Sequence, residues 1–173
     1  MRMQELVSQV FIKAARQYFA DSPMGMSSIP AVHPPAQGRE LGELERRIGE
    51  PLEPSYRDFL RVTDGMDGFS VVILGCHDWE PGGLGGEAAV YLADLVDIGV
   101  PGDVGIPDGV SLFPVAFSRD ASEAIFMADF GLGISPRFWW AGEGDSLFFD
   151  DFYVLLKYMS DPASYDPIES LNY

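Results

Sequence analysis

Met3, Leu6, Val7, Val10, Phe11, Ala14, Tyr18 and Phe19 recur at steps of three and four residues. That spacing puts an apolar stripe along one side of a helix over about residues 3–19. Asp21, Ser22 and Pro23 stop it. Residues 22–38 hold Pro23, Pro30, Pro34 and Pro35 among small residues and read as an extended connector. The helical period returns at Leu41, Leu44 and Ile48, with Gly49 placed as a left-handed C-terminal residue. A second short helix opens at Pro54, a residue suited to a first turn, and sets Tyr56, Phe59, Leu60 and Thr63 on one face. Asp64-Gly65 and Asp67-Gly68 then predict turns.

Beyond the turns the period changes. Val71–Leu74 is an unbroken aliphatic run, the pattern of a strand buried on both faces. Residues 75–87 and 99–111 are rich in Gly or Pro and predict loops. Ala88–Leu92 fits a strand or a helix, and the expectation is a short strand followed by a helical turn near Asp94–Ile98. Leu112–Phe117, Ala124–Asp129 and Arg137–Ala141 are strand-like, and Ser146–Phe149 is a further candidate. Asp150 or Asp151 then caps a helix whose Phe152, Leu155, Leu156 and Met159 share a face, ended by Asp161-Pro162. Helices, then strands, then a helix predict an α+β fold rather than repeated βαβ units. One domain is expected over 1–173, with an N-terminal helix (1–21), the connector (22–38), a main body (39–160) and a tail (161–173).

Composition and charge narrow the function. At 173 residues and 47% hydrophobic content the chain can bury a real core. It carries 27 Asp and Glu against 11 Lys and Arg, a net charge of −16. Residues 1–70 hold 10 acids and 8 bases, whereas residues 71–173 hold 17 acids and 3 bases. Nucleic acid and anionic membrane are poor partners for such a surface, because both repel it. Cys76 is the only cysteine, so an internal disulfide and a Cys-based structural zinc site are excluded. Glu5, Lys13 and Arg16 interrupt the first 20 residues, which therefore do not read as a secretory leader, and no apolar run reaches about 20 residues. A cytoplasmic location is the expectation.

Candidate chemistry is sparse. The two histidines are His33, in the connector, and His77, beside Cys76 and Asp78. A Cys-His nucleophilic pair needs spatial convergence, and sequence neighbours at a strand end do not supply it. Gly83, Gly85 and Ala88 form a G-x-G-x-x-A string with Asp103 beyond it, but no strand leads directly into the string and Asp78 and Glu80 precede it. Asp94, Asp97, Asp103, Asp108, Asp150 and Asp151 lack the loop spacing of a calcium site. Among so many acids no pair is nominated for glycosidase chemistry. No catalytic residue, metal ligand or cofactor is therefore expected. Trp139 and Trp140 are adjacent on a predicted strand and point to opposite faces; either one enters the core and the other a surface that Trp79 could share, or flanking helices cover both.

The segment LEPSYRDFLRVTDGMDGF (Leu52–Phe69) resembles the signature of the SUKH superfamily, which includes fungal cell-wall-assembly regulators of the Smi/Knr type and many bacterial immunity proteins. There, a helix ending in Leu-Gly leads into LPxxYxxFLxxxNG, and Leu44, Ile48, Gly49, Leu52, Tyr56, Phe59, Leu60 and Gly65 match. LFPVAF (Leu112–Phe117), AIFMADF (Ala124–Phe130) and FFDDFYVLLKYM (Phe148–Met159) resemble the family's paired strands and closing helix, so the likeness runs from about Gly38 to Met159. Glu53 stands in place of the family's first Pro, Asp64 in place of its Asn, and Phe152 alone represents the closing aromatic pair. The resemblance implies N-terminal helices, a twisted and mostly antiparallel sheet, and a closing C-terminal helix. It also implies a binding protein without a catalytic centre.

Together with the charge, it points to an immunity-type inhibitor that covers a basic toxin through acidic loops. Asp78, Trp79, Glu80, Glu87, Asp120, Glu123, Glu143 and Asp145 are the candidate contacts. The alternative is a regulatory or scaffold domain in cell-envelope synthesis or signalling.

Overall fold

A computed structural model describes residues 1–21, 28–131, 134–142 and 144–172. Helix α1 (Met3–Asp21) buries Leu6, Val7, Val10 and Ala14, but its expected stripe stops there, since Phe19 lies in solvent. After the connector come α2 (Gly38–Ile48) and α3 (Pro54–Leu60). Gly49 closes α2 in the left-handed conformation, and Glu53 caps α3, its carboxylate accepting from the amides of Ser55 and Tyr56. The Ser55 hydroxyl donates to Glu53 and accepts from the amides of Phe152 and Tyr153. One serine thus ties the start of α3 to that of the last helix, α6 (Phe152–Ser160), which Asp151 caps.

The strands are β1 (Ala31–Val32), β2 (Met66–Asp67), β3 (Val72–Ile73), β4 (Ser111–Phe117), β5 (Ala124–Asp129), β6 (Phe138–Ala141) and β7 (Ser146–Phe149). They lie in one sheet in chain order, each antiparallel to the next. The expected strands 71–74, 112–117, 124–129, 137–141 and 146–149 are all present. The connector contributes β1, which pairs with β2 between the two predicted turns. A register shift between Pro114 and Ala116 marks a bulge in β4, where Pro114 has no amide to give the ladder.

Side chains alternate between two cores. Val115, Ile125, Met127, Phe138 and Phe149 face α1, α2, α3 and α6. Phe117, Phe126, Trp139 and Phe148 face the other way. That second face is covered by α4 (Leu84–Asp97) and the short α5 (Val100–Asp103), through Ala88, Tyr91, Leu92, Leu95, Val100 and Val104. Residues 75–98 therefore differ from expectation. The loop contains a 3-10 turn (Cys76–Trp79), and the strand-then-turn expected over 88–98 is one 14-residue helix. The tail also has a place: the Phe148 amide donates to the Ile168 carbonyl, and the Leu171 amide to that of Val104. It thus runs along the outer edge of β7 and reaches α5, a cover for backbone groups that an edge strand leaves open. Among the described residues no helix is long and apolar enough to cross a membrane.

Candidate functional site

Pairing of β1 with β2 brings the connector against the end of α3. The His33 amide donates to Thr63 Oγ1 at 2.9 Å, and the Asp64 amide to the Pro34 carbonyl at 3.2 Å. Gly75 allows the opposite approach: a Cβ there would lie 2.2 Å from the Asp64 carbonyl oxygen. The result is a cluster around the Asp64 carboxylate, which accepts from the Cys76 and His77 amides and contacts His77 Nδ1 at 2.9 Å. His77 Nε2 lies 3.5 Å from Asp78, and its ring meets that of His33 at a 49° tilt with centroids 4.7 Å apart. Burial lowers the His77 pKa, but the Asp64 hydrogen bond and the charges of Asp78, Asp64 and Glu80 outweigh it, so His77 titrates above its ordinary value.

The same cluster pushes the Cys76 thiol up to about 12, by burial first and then by Asp64's charge and hydrogen bond. A nucleophilic cysteine needs the opposite shift. His77 Nδ1 is held by the Asp64 carboxylate, while Nε2 lies 3.5 Å from Asp78 on a ring that is exposed at the neighbouring cleft. Asp64 and His77 together clamp the 3-10 turn to the end of α3.

Next to the clamp, Glu40, Glu43, Leu44, Arg47, Cys76, His77, Trp79 and Glu80 line a cleft of about 150 Å³. Trp79 forms its inner wall, stacked on Phe113 with centroids 4.5 Å apart and with the Arg47 guanidinium 5.7 Å above its ring. The glycine string has its explanation here. A Cβ on Gly83 would meet the Asp78 carbonyl oxygen at 2.2 Å, and one on Gly85 the Trp79 ring at 2.6 Å. These glycines admit a tryptophan and its backbone, not a phosphate, and a 3-10 turn rather than a strand leads toward them.

The eight expected contacts therefore separate. Asp78 is buried, accepting from the Gly75 amide, and Trp79 is largely packed away; Glu80 is exposed at the rim of the first cleft. Asp120 is exposed and closes its own turn by accepting from Ser122. Glu123 accepts from the Trp140 indole at 2.8 Å, and with Asp145, Leu147, Gly142 and Tyr158 these two line a second cavity of about 260 Å³. Trp139 is the core member of the pair, whereas Trp140 is only partly covered and belongs to this cavity, apart from Trp79. Glu143 lies outside the described residues. Glu87 stands on α4, exposed.

Helix α4 carries what the loop-centred reading overlooks. Glu87, Asp94 and Asp97 are exposed on it, and Asp103 and Asp108 follow in the same layer. Between Arg61 and Arg119 the sequence holds no Lys or Arg. That gap is visible in the sequence alone and is the signal that could have found this face. Compared with known proteins, the chain matches no family model and no curated protein.

Proposed function

We propose that the chain is a non-enzymatic protein-binding domain, an immunity-type inhibitor that acts in the cytoplasm by covering the basic surface of a partner toxin. The observation that carries this reading is the base-free layer: α4, α5 and the loops beside them expose acids that no Lys or Arg from residues 62–118 offsets. Such a field attracts a cationic protein from a distance and speeds its docking. Toxins that attack nucleic acid need cationic surfaces to bind it, and an acidic inhibitor competes for the same ground. The raised Cys76 thiol makes a poor nucleophile. The SUKH-like order of motifs supports the same class.

The test is co-expression with the product of the neighbouring gene. That product should arrest growth alone, growth should return when this chain is present at equal level, and the two should co-purify. Their association rate should fall as ionic strength rises from about 0.05 to 0.5 M. A neighbour that is harmless alone, or lethal despite this chain, contradicts the immunity reading.

A further inference from the structure

Helix α4 has two apolar sides. Leu84, Ala88, Tyr91, Leu92 and Leu95 pack on the sheet. At 100° per residue the opposite side presents Gly86, Ala89, Val90, Ala93 and Val96, with Asp97 among them at the C-terminal end, all of them exposed. Val90 is 63% and Val96 54% exposed, and Ile98, just past the helix end, is 73% exposed. Helix α1, on the other face of the sheet, exposes Ile12 and Phe19 but sets them among Gln4, Glu5, Ser8, Lys13 and Arg16. Apart from its exposed acids, Glu87, Asp94 and Asp97, α4 is apolar on both its inner and outer sides, a composition closer to that of a buried helix. Its outer strip, rimmed by charge, has the makeup of an interaction surface.

Charge decides what can cover it. Glu87 and Asp94 stand along one edge of the strip and Asp97 within its C-terminal end, and among the described residues none of them forms an ion pair. A second copy would bring the same three acids and a further net charge of −16 to the contact. Anionic lipid and nucleic acid carry the same sign. A basic protein surface with aliphatic side chains at its centre matches both parts of the face. Gly86, Ala89 and Ala93 keep the strip low enough for close approach. Resting on the reading of the chain as an acidic inhibitor, we propose that the outer face of α4 is its docking surface. The partner's aliphatic side chains cover the strip around Val90 and Val96, and its Lys or Arg side chains reach Glu87, Asp94 and Asp97.

The probe is an 18-residue amphipathic Leu/Lys helical peptide, titrated at low salt into the ¹⁵N-labelled full chain. Two controls replace its Leu by Ser or its Lys by Glu. The Leu/Lys peptide should shift amide signals of residues 86–98, and the double variant V90S/V96S should weaken it at least tenfold. Both side chains lie in solvent, and an unchanged thermal unfolding midpoint verifies that the variant is folded. The triple variant E87Q/D94N/D97N should weaken it as much, and both control peptides should bind at least tenfold more weakly than the parent. Shifts confined to the Glu123–Trp140–Asp145 cavity, or affinity indifferent to V90S/V96S, would overturn the α4 assignment while leaving an acidic binding protein standing. Absence of binding by every basic peptide would sink both readings. Equal binding of either control, or a dimer in sedimentation that V90S/V96S dissolves, would overturn the proposed partner chemistry.

Discussion

Glu50, in the turn between α2 and α3, meets Asp129 at the end of β5. Burial, then the hydrogen bond and charge of Asp129, push its carboxyl up to about 7, against a smaller downward pull from Arg137. Asp129 is held below its ordinary value, chiefly by the same hydrogen bond and then by the Gly131 amide. Glu50 therefore keeps a proton in the folded chain that the unfolded chain gives up near 4.5. Stability from this group is full below that value and is lost as pH rises through about 7. The urea midpoint should fall between pH 5 and 8, and Glu50→Gln, which keeps a donor for Asp129 and cannot ionise, should flatten the fall. His77 contributes a loss of the same sign, present in both proteins, so the difference between the two curves isolates Glu50. Equal slopes would rule the shared proton out. The sequence gives no hint of this pair, because 79 positions separate its members and only the packing of the α2–α3 turn against β5 joins them. His33 and His77 likewise meet only in the fold, through β1 pairing with β2.

Elements with a clear apolar period or a long aromatic and aliphatic run were legible, and those with neither were not. Helices α2, α3 and α6 have one apolar side and capping residues in place, so their periods and ends could be read from Leu41, Tyr56 or Asp151. Strands β4 to β7 are aromatic and β-branched runs broken by turns, the signature of a sheet whatever its partner. In α4 the apolar residues surround the axis, which erases the 3.6-residue period and leaves a run that a strand explains as well. Strands β1 and β2 span two residues each, too short for any alternation. The start of α4 offers a paired test. Gly85→Ala sets a methyl against the Trp79 ring and the Asp78 backbone and should cost about 1–3 kcal/mol. Gly86→Ala, one position on, meets nothing within 4 Å and should stabilise by up to about 1 kcal/mol. Chemical denaturation of the two variants compares them, and similar values would mean that Trp79 is not packed under the helix.

Across the whole molecule, charge and core are laid out in different directions. The sheet separates a face covered by α1, α2, α3 and α6 from one covered by α4 and α5. Cationic residues outside the first part of the chain are only Arg119, Arg137 and Lys157, and Arg119 is committed to Asp67 at 3.0 Å. A net charge of −16 on a chain of this size opposes its own compactness. Added NaCl, which shortens the screening length from about 30 Å at 0.01 M to about 10 Å at 0.1 M, should therefore raise the thermal midpoint by a few degrees. A midpoint that stays level or drops over that range would mean that the acids are already offset within the fold.

The missing bases also make the α4 layer invisible to a whole class of reagents. Trypsin has no site between Arg61 and Arg119, so digestion leaves that layer on one 58-residue peptide whatever its exposure. Amine-directed chemistry is blind to it as well. The two lysines are Lys13 on α1 and Lys157 on α6, where Lys13 reaches the Ser160 carbonyl on the opposite side of the sheet. Coupling through amines would anchor the molecule by its α1–α6 side and present α4 outward, whereas footprinting of α4 calls for carboxylate-directed labels.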